Sequence, residues 1–299
     1  MGPVKLGLDI GATKTLGVVL DDDGKIRAEV RERTERGAGG VVESAGRVVD
    51  ALRAATGDPL TGPVGVGVPG LVDVEHGAVK HAVNLGLDGD FVPLGDLLGE
   101  RLGVRAVVEN DVNAASLGAT ALSGDQDLIY LSIGTGLAAG LVLDGRLRRG
   151  VHGAAGEIGH VPVDPQGALC SCGQRGCLET IASGSALAAA WPSGDVPPAQ
   201  ALFAAAQAGE EKAIQVRDEF AAGVASAVRV LSLAVDPATI VLGGGVAQLG
   251  DPLRVAVAQA LLDQAASSPF LASLDLAGRI RVVPADYPVA AVGAALLGR

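Results

Sequence analysis

Aromatic side chains are nearly absent: one Trp, two Tyr and four Phe make up 2% of the 299 residues. The core must therefore be built from Val, Leu, Ile and Ala. Surplus positive charge is missing as well, because 34 Asp and Glu outweigh 23 Lys and Arg to leave a net charge of −11 and a pI near 4.8. Nucleic-acid backbones are held by excess Lys and Arg, so nucleic acid is excluded as an expected partner. Small phosphorylated ligands are not excluded, since backbone amides can hold them. Cysteine is scarce, with three residues in the chain, and an odd, clustered set makes no disulfide framework. Long apolar runs are also lacking, despite a mean hydropathy of +0.39. The best candidate, residues 129–143, is broken by Ser132, Gly134, Thr135, Gly136 and Gly140, short of the ~18 uninterrupted residues a membrane helix needs. The opening MGPVKLGLDI enters a strand with no basic and then apolar leader. We expect a soluble, cytoplasmic protein with no membrane partner.

The length predicts about two domains, and the chain carries an internal echo. Residues 4–10 read as an apolar strand, followed by the turn Gly11-Ala12-Thr13-Lys14, a second strand over 16–20, Asp-Asp-Asp-Gly, and a third strand. Residues 127–149 repeat the scheme: a strand over 128–133, Gly134-Thr135-Gly136, a strand over 137–143, Asp144-Gly145, and a short basic strand. Asp-Gly between apolar runs is a hairpin signal. Two such units, each followed by alternating helix and strand patterns, predict two similarly built α/β halves. Helices are expected over 40–56, 94–102, 183–190, 199–208, 212–234 and 290–297, and buried strands over 64–68, 105–109, 239–242 and 280–283. Asp236-Pro237 stops the longest helix.

Two tempting motifs fail. Gly65-x-Gly67-x-x-Gly70 matches the dinucleotide fingerprint by letter, but Pro69-Gly70-Leu71-Val72-Asp73 opens no helix. The segment Gly11 to Thr15 lacks the glycine before Lys14 that a Walker A loop requires. Three glycine turns remain, DIGATKT (9–15), GTG (134–136) and LGGGV (242–246), each after a short buried strand. Such turns let backbone N–H groups approach phosphate oxygens, with Thr hydroxyls adding donors. Asp9, at the end of the first strand, could orient a hydrated Mg²⁺ that neutralises phosphate charge.

The stretch VVENDVNAA (107–115) puts Asp111 just past a predicted strand, at the start of an Ala-rich helix. Phosphoryl transfer to an alcohol needs a carboxylate to take the proton and donors to hold the hydroxyls. Asp111 and Asn110 suit those roles, and both equally suit a helix N-cap. His160, Cys170, Cys172 and Cys177 supply one imidazole and three thiolates, a donor set for closed tetrahedral structural Zn²⁺. The spacings exclude a redox Cys-x-x-Cys. If metal fixes one ring nitrogen of His160, the other is left for a ligand. Glu157 and Glu179 bracket the segment, either as hydroxyl acceptors or as solvated surface charges.

Taken together, DIGATKT, VENDVNAA, GTG with Gly140, GAAGEIGH, CSCGQRGCLE and LGGGV closely resemble the ROK family (repressors, open reading frames and sugar kinases) of the actin/hexokinase superfamily, in order along the whole chain. The resemblance implies an α/β chain of two ribonuclease H-like domains with an interdomain cleft. The smaller domain would be 1–113 plus 286–299, with a returning C-terminal helix, and the larger 114–285, with the zinc knuckle. It implies ATP-dependent transfer of a phosphoryl group to the 6-hydroxyl of a hexose, glucose first, with N-acetylglucosamine, N-acetylmannosamine, fructose, a cyclitol or a non-catalytic sugar sensor as alternatives. Asp111 would be the general base. Asn84, Asn110, Asp111, Glu157, His160 and Glu179 would bind the sugar. Asp9, Gly11, Thr13, Lys14, Gly134, Thr135, Gly136, Gly243 and Gly244 would line ATP and Mg²⁺. His160, Cys170, Cys172 and Cys177 would bind zinc, and a homodimer or homotetramer is implied. Ala12 and Ala138-Ala139 stand where glycines are commoner, and NLGLDG (84–89) lacks a tryptophan frequent after NLG in glucokinase-like members. With the first strand starting at residue 4 and an acidic charge, no DNA-binding helix-turn-helix is expected.

Overall fold

The computed structural model describes residues 4–298 and divides into two compact units. The first runs to Gly124 and takes in Leu147–Gly153 and the chain from Pro288 onward; the second comprises Asp125–Arg146 and Ala154–Tyr287.

In the first unit, β1 (Lys5–Ile10), β2 (Lys14–Leu20) and β3 (Ile26–Arg33) form an antiparallel meander. Helix α1 (Ala38–Thr56) leads to β4 (Val64–Val68), a small hairpin follows as β5 (Leu71–Asp73) and β6 (Ala78–Lys80), and α2 (Leu94–Leu102) leads to β7 (Ala106–Asn110) and α3 (Asp111–Ser123). The sheet order is β3-β2-β1-β4-β7, with β4 parallel to both β1 and β7. Even-numbered residues of the central strands (Leu6, Leu8, Ile10, Val64, Val66, Val68) pack with Val41, Val48, Val49 and Leu52 of α1 into one core. That is the period-2 alternation of a strand meeting the 3.6-residue period of a helix. Each such aliphatic side chain contributes about 1.5–3 kcal/mol on full burial.

The second unit repeats the plan. β8 (Leu128–Ile133), β9 (Leu137–Leu143) and β10 (Arg146–Leu147) form the meander, and the sheet order is β10-β9-β8-β11-β12, where β11 is Thr239–Gly243 and β12 is Ile280–Val282. β11 runs parallel to β8 and β12. Helices α4 (Glu179–Ala182), α5 (Gly184–Ala190), α6 (Pro198–Gln207), α7 (Glu211–Val235), α8 (Asp251–Ala265) and α9 (Pro269–Ser273) complete the unit. Phe220, Val224, Val228 and Leu231 of α7 join the sheet's Ile129, Leu131 and Leu242 in its core. α7 stops where Asp236 turns left-handed at φ 52°, just before Pro237. The hairpin 71–80 and helix α8 have no strong periodic signal, and sequence alone did not reveal them.

Helix α10 (Val289–Ala295) returns to the first unit. A Cβ on Gly7 or Gly65 would fall on the backbone of α10, and one on Gly118 or Gly293 would strike the facing helix of the α3–α10 pair. These glycines let the helices approach the sheet and each other at backbone contact. That explains Gly65 in the false dinucleotide fingerprint, and it keeps all of α3 in the first unit. The expected division at 113/114 therefore falls inside a packed helix, and the chain leaves the unit at Gly124. Among the described residues, no helix is long and apolar enough to cross a membrane.

Candidate active site and metal clip

In the first unit the strand ends gather the candidate groups. Asp9 lies opposite Gly67 on β4, and Gly67 opposite Glu109 on β7. The turn after β1 is closed by Gly11 N donating to Lys14 O at 2.9 Å. Thr13 and Lys14 are exposed there, available to an incoming anion. Burial pushes the Asp9 carboxyl up to about 7, nearby Asp111 adds to the rise, and Lys14 opposes it. A carboxylate held this way gains by meeting a cation.

Asn110 is the N-cap of α3. Its Oδ1 accepts from Val112 N (2.9 Å) and Asn113 N (3.2 Å), and its Nδ2 donates to Gly70 O at 3.2 Å. Capping is therefore done by Asn110, which leaves Asp111 as the first helical residue, its Oδ1 accepting from Val112 N at 2.9 Å. The helix N-terminus favours negative charge there. Asn84 sits exposed on the short 3₁₀ turn Val83–Leu85, which ends at left-handed Gly86.

In the second unit two glycine turns lie side by side, because Gly243 at the end of β11 pairs with Ser132 near the end of β8. A Cβ on Gly243 would sit inside the Tyr130 ring, and one on left-handed Gly244 against the Ile133 backbone. Gly244 N donates to Tyr130 Oη at 3.2 Å. The other turn is tied down from both sides. Gly134 O and Thr135 O accept from Gly184 N (2.7 Å) and Ser185 N (3.3 Å), while Glu179 Oε2 accepts from Leu137 N at 3.0 Å and lies where a Gly136 Cβ would stand.

The motif GEIGH packs along β9. Gly156 and Gly159 bring their backbone against Ala139 O and Leu137 O, and Ala139 N donates to Gly156 O at 2.7 Å. This sets His160 beside the cysteines. Donor atoms of His160, Cys170, Cys172 and Cys177 all lie within 4.8 Å of one another. Cys172 Sγ is 3.7 Å from Cys177 Sγ, and Cys170 Sγ is 3.8 Å from His160 Nδ1. A tetrahedron with Zn–S near 2.3 Å has edges of roughly 3.8 Å, so the donor set fits zinc in kind and in spacing. Nδ1 faces the cluster, while Nε2 lies 3.9 Å from the Glu157 carboxylate. Left-handed Gly176 and Gly173 turn the loop, and a Cβ on Gly176 would overlap Asp164.

Two groups were missed by sequence reasoning: Tyr130, which holds Gly244, and Glu109. A lone glutamate closing an apolar parallel strand was the available signal for the second.

The ROK family model matches residues 5–297. The chain belongs to the ROK family. It is 35% identical over 280 residues to a glucokinase of Halalkalibacterium halodurans, covering 85% of this chain and 84% of that protein. It is also 34% identical over 251 residues to an N-acetylmannosamine kinase of Citrobacter koseri, covering 81% and 83%. A solved ROK glucokinase of Streptomyces griseus, in complex with glucose and AMPPNP, superposes with a TM-score of 0.80 at 30% identity over 98% of each chain. The expected α/β class of the actin/hexokinase ATPase fold is thus the fold of this ROK protein.

Proposed function

We propose that this ROK protein is an ATP-dependent hexokinase that phosphorylates the 6-hydroxyl of glucose. The observation that carries the reading is the strand-end constellation of the first unit. A buried-strand carboxylate (Asp9) at a glycine turn stands next to a second carboxylate (Asp111) at the start of a capped helix, on a chain whose relatives include glucokinases. Asp111 accepts the proton of the sugar hydroxyl as the phosphoryl group departs from ATP. Amides of the turns at Gly11, Gly134–Gly136 and Gly243–Gly244, with Thr13, Thr135 and Lys14, hold the phosphates. Asp9 would hold hydrated Mg²⁺, which supplies charge neutralisation at the phosphates. Asn84, Asn110, Glu157, His160 and Glu179 take the remaining sugar hydroxyls.

Zinc on His160 Nδ1 and the three thiolates would be structural, since four protein donors leave no open position. With Nδ1 so engaged, the imidazole would keep Nε2 toward Glu157, where it could meet a sugar hydroxyl. Stripping the metal with a chelator should melt the segment 160–178 and weaken sugar binding roughly tenfold or more. Normal sugar titration by zinc-free protein would refute this account of His160.

N-acetylmannosamine is the second reading, favoured by the Citrobacter koseri relative at nearly the same identity. The deciding experiment is ADP release from Mg–ATP across glucose, mannose, fructose, N-acetylglucosamine, N-acetylmannosamine and a cyclitol. Glucose far above the rest supports the first reading, and N-acetylmannosamine far above the rest replaces it. Silence across the panel by folded protein overturns the kinase assignment.

A further inference from the structure

Among the described residues, Glu109 is the only Asp, Glu, Lys or Arg with almost no exposed surface, at 1%; Asp9 keeps part of its surface open. None of the roles assigned so far uses it. It is the penultimate residue of β7, directly before the cap Asn110 and the base Asp111. An ionised carboxylate taken out of water must be met by donors, and three meet this one. Arg149 Nε lies 2.6 Å from Oε2, while Asn110 N at 2.9 Å and Asn113 Nδ2 at 3.0 Å donate to Oε1. Two of those donors flank Asp111 in sequence, one on each side. The third comes from Leu147–Gly153, a stretch of the first unit whose chain neighbours on both sides belong to the second.

We propose that Glu109 is the positioning residue of the base Asp111, and that Arg149 is the counter-ion that fixes Glu109. The proposal rests on the reading of Asp111 as base. Glu109 touches no reacting atom; it fixes the backbone at Asn110 and the first turn of α3, and with them the direction from which Asp111 meets the hydroxyl. A base must lie within hydrogen-bond reach of its proton, and a displacement of about 1 Å costs on the order of 10²-fold in rate. Asn110 joins this network through its backbone N–H, while its side chain stays held by Val112 N, Asn113 N and Gly70 O. Loss of Glu109 should therefore fall mainly on kcat and change KM far less. Asn113 and Arg149 thereby gain a reason to be in the sequence that neither capping nor substrate contact provides.

The test uses Glu109→Gln, Arg149→Met and the double variant, with Arg149→Lys as the conservative replacement. Steady-state kinetics are read on the best sugar of the panel, and amide hydrogen exchange over residues 110–113. Expected are a kcat lowered about 10- to 100-fold with both KM values within about threefold, a double variant no worse than the poorer single one, partial recovery in Arg149→Lys, and faster exchange over 110–113. A kcat within twofold of wild type in folded variants, losses confined to KM, or effects that multiply in the double variant would overturn the proposal. If Glu109→Gln fails to fold, Arg149→Met, at a half-exposed site, still decides. A wild-type chain silent on every sugar would sink the kinase reading instead. Exchange would then still report on the pair, and unchanged protection over 110–113 in Arg149→Met would refute it.

Discussion

The two units share one strand plan and differ in what stands at the strand ends. In the first, Asp9 lies beside Gly67, and Gly67 beside Glu109. In the second, Ser132 occupies the place of Asp9 and pairs with Gly243, and beyond β12 comes the apolar Val283, whose N–H donates to Leu242 O. The first unit thus carries acid groups where the second carries a hydroxyl, a tyrosine-backed glycine and a valine. The repeated frame supplies turns at which backbone amides can meet phosphate. On the proposed reading, the carboxylates that move the proton and meet Mg²⁺ stand at the strand ends of the first unit, and the metal clip of the second lies away from its strand ends, on the loop of His160, Cys170, Cys172 and Cys177. A glycine turn at a strand end is therefore a feature of the repeated fold, and what separates the two copies is the carboxylates at its edge.

The largest expected break in that contrast is Asp111→Asn. It removes the proposed base from the first unit and leaves the turns of both units untouched. Turnover should fall by about 10³-fold or more, while calorimetry shows sugar binding little changed. Near-normal kcat would remove Asp111 from the mechanism.

Asp9 sharpens the contrast through pH. Its carboxyl is raised from 3.8 to about 7 in the folded chain, so between those values the folded state binds more protons than the unfolded one. The stability this contributes is fully present below 3.8 and is lost as pH rises through about 7. Denaturant unfolding in the absence of Mg²⁺ and nucleotide should show stability falling over that window by at most about 4 kcal/mol. Asp9→Asn should flatten the slope and be the more stable protein at pH 8, yet a poor kinase. A wild-type profile that is flat from pH 4 to 8 would contradict the raised carboxyl of Asp9.

How much of this was legible in the sequence follows the same division. The meanders were readable because Asp-Gly turns and period-2 apolar runs are local signals, and a helix was expected over the residues that form Leu94–Leu102. The cysteine segment was legible because ligand type and spacing are local too. What was not legible is carried by contacts distant in sequence. Gly118 and Gly293 keep α3 in the first unit, Tyr130 reaches Gly244 across 114 positions, and Arg149 meets Glu109 across 40. The cap illustrates the limit in miniature: either Asn110 or Asp111 could have capped α3, and only the hydrogen bonds assign the cap to Asn110.

The equivalent glycines give a smaller effect. A Cβ at Gly243 would enter the Tyr130 ring at 2.1 Å from its oxygen, whereas one at Gly67 would meet the Ala114 Cβ at 3.2 Å. Gly243→Ala should cost about 1–3 kcal/mol of stability by overpacking and raise KM for ATP, because Tyr130 is displaced from Gly244 N. Gly67→Ala should cost about 1 kcal/mol or less, with its penalty in kcat through the neighbouring Asp111. Thermal melts and kinetics of the pair check both halves, and equal costs would mean that the two sheets tolerate side chains alike.

The smallest effect is expected at Ser132, and it bears most directly on the asymmetry. If the strand end at Ser132 lends no working side chain, Ser132→Ala should leave kcat within about twofold and stability within about 0.5 kcal/mol. Asp9→Asn at the matching place in the other sheet should be crippling. A tenfold loss in Ser132→Ala, with KM for ATP unchanged, would place a working hydroxyl at that strand end. The second unit would then share in the chemistry, and the comparison would no longer be one of active copy and supporting copy.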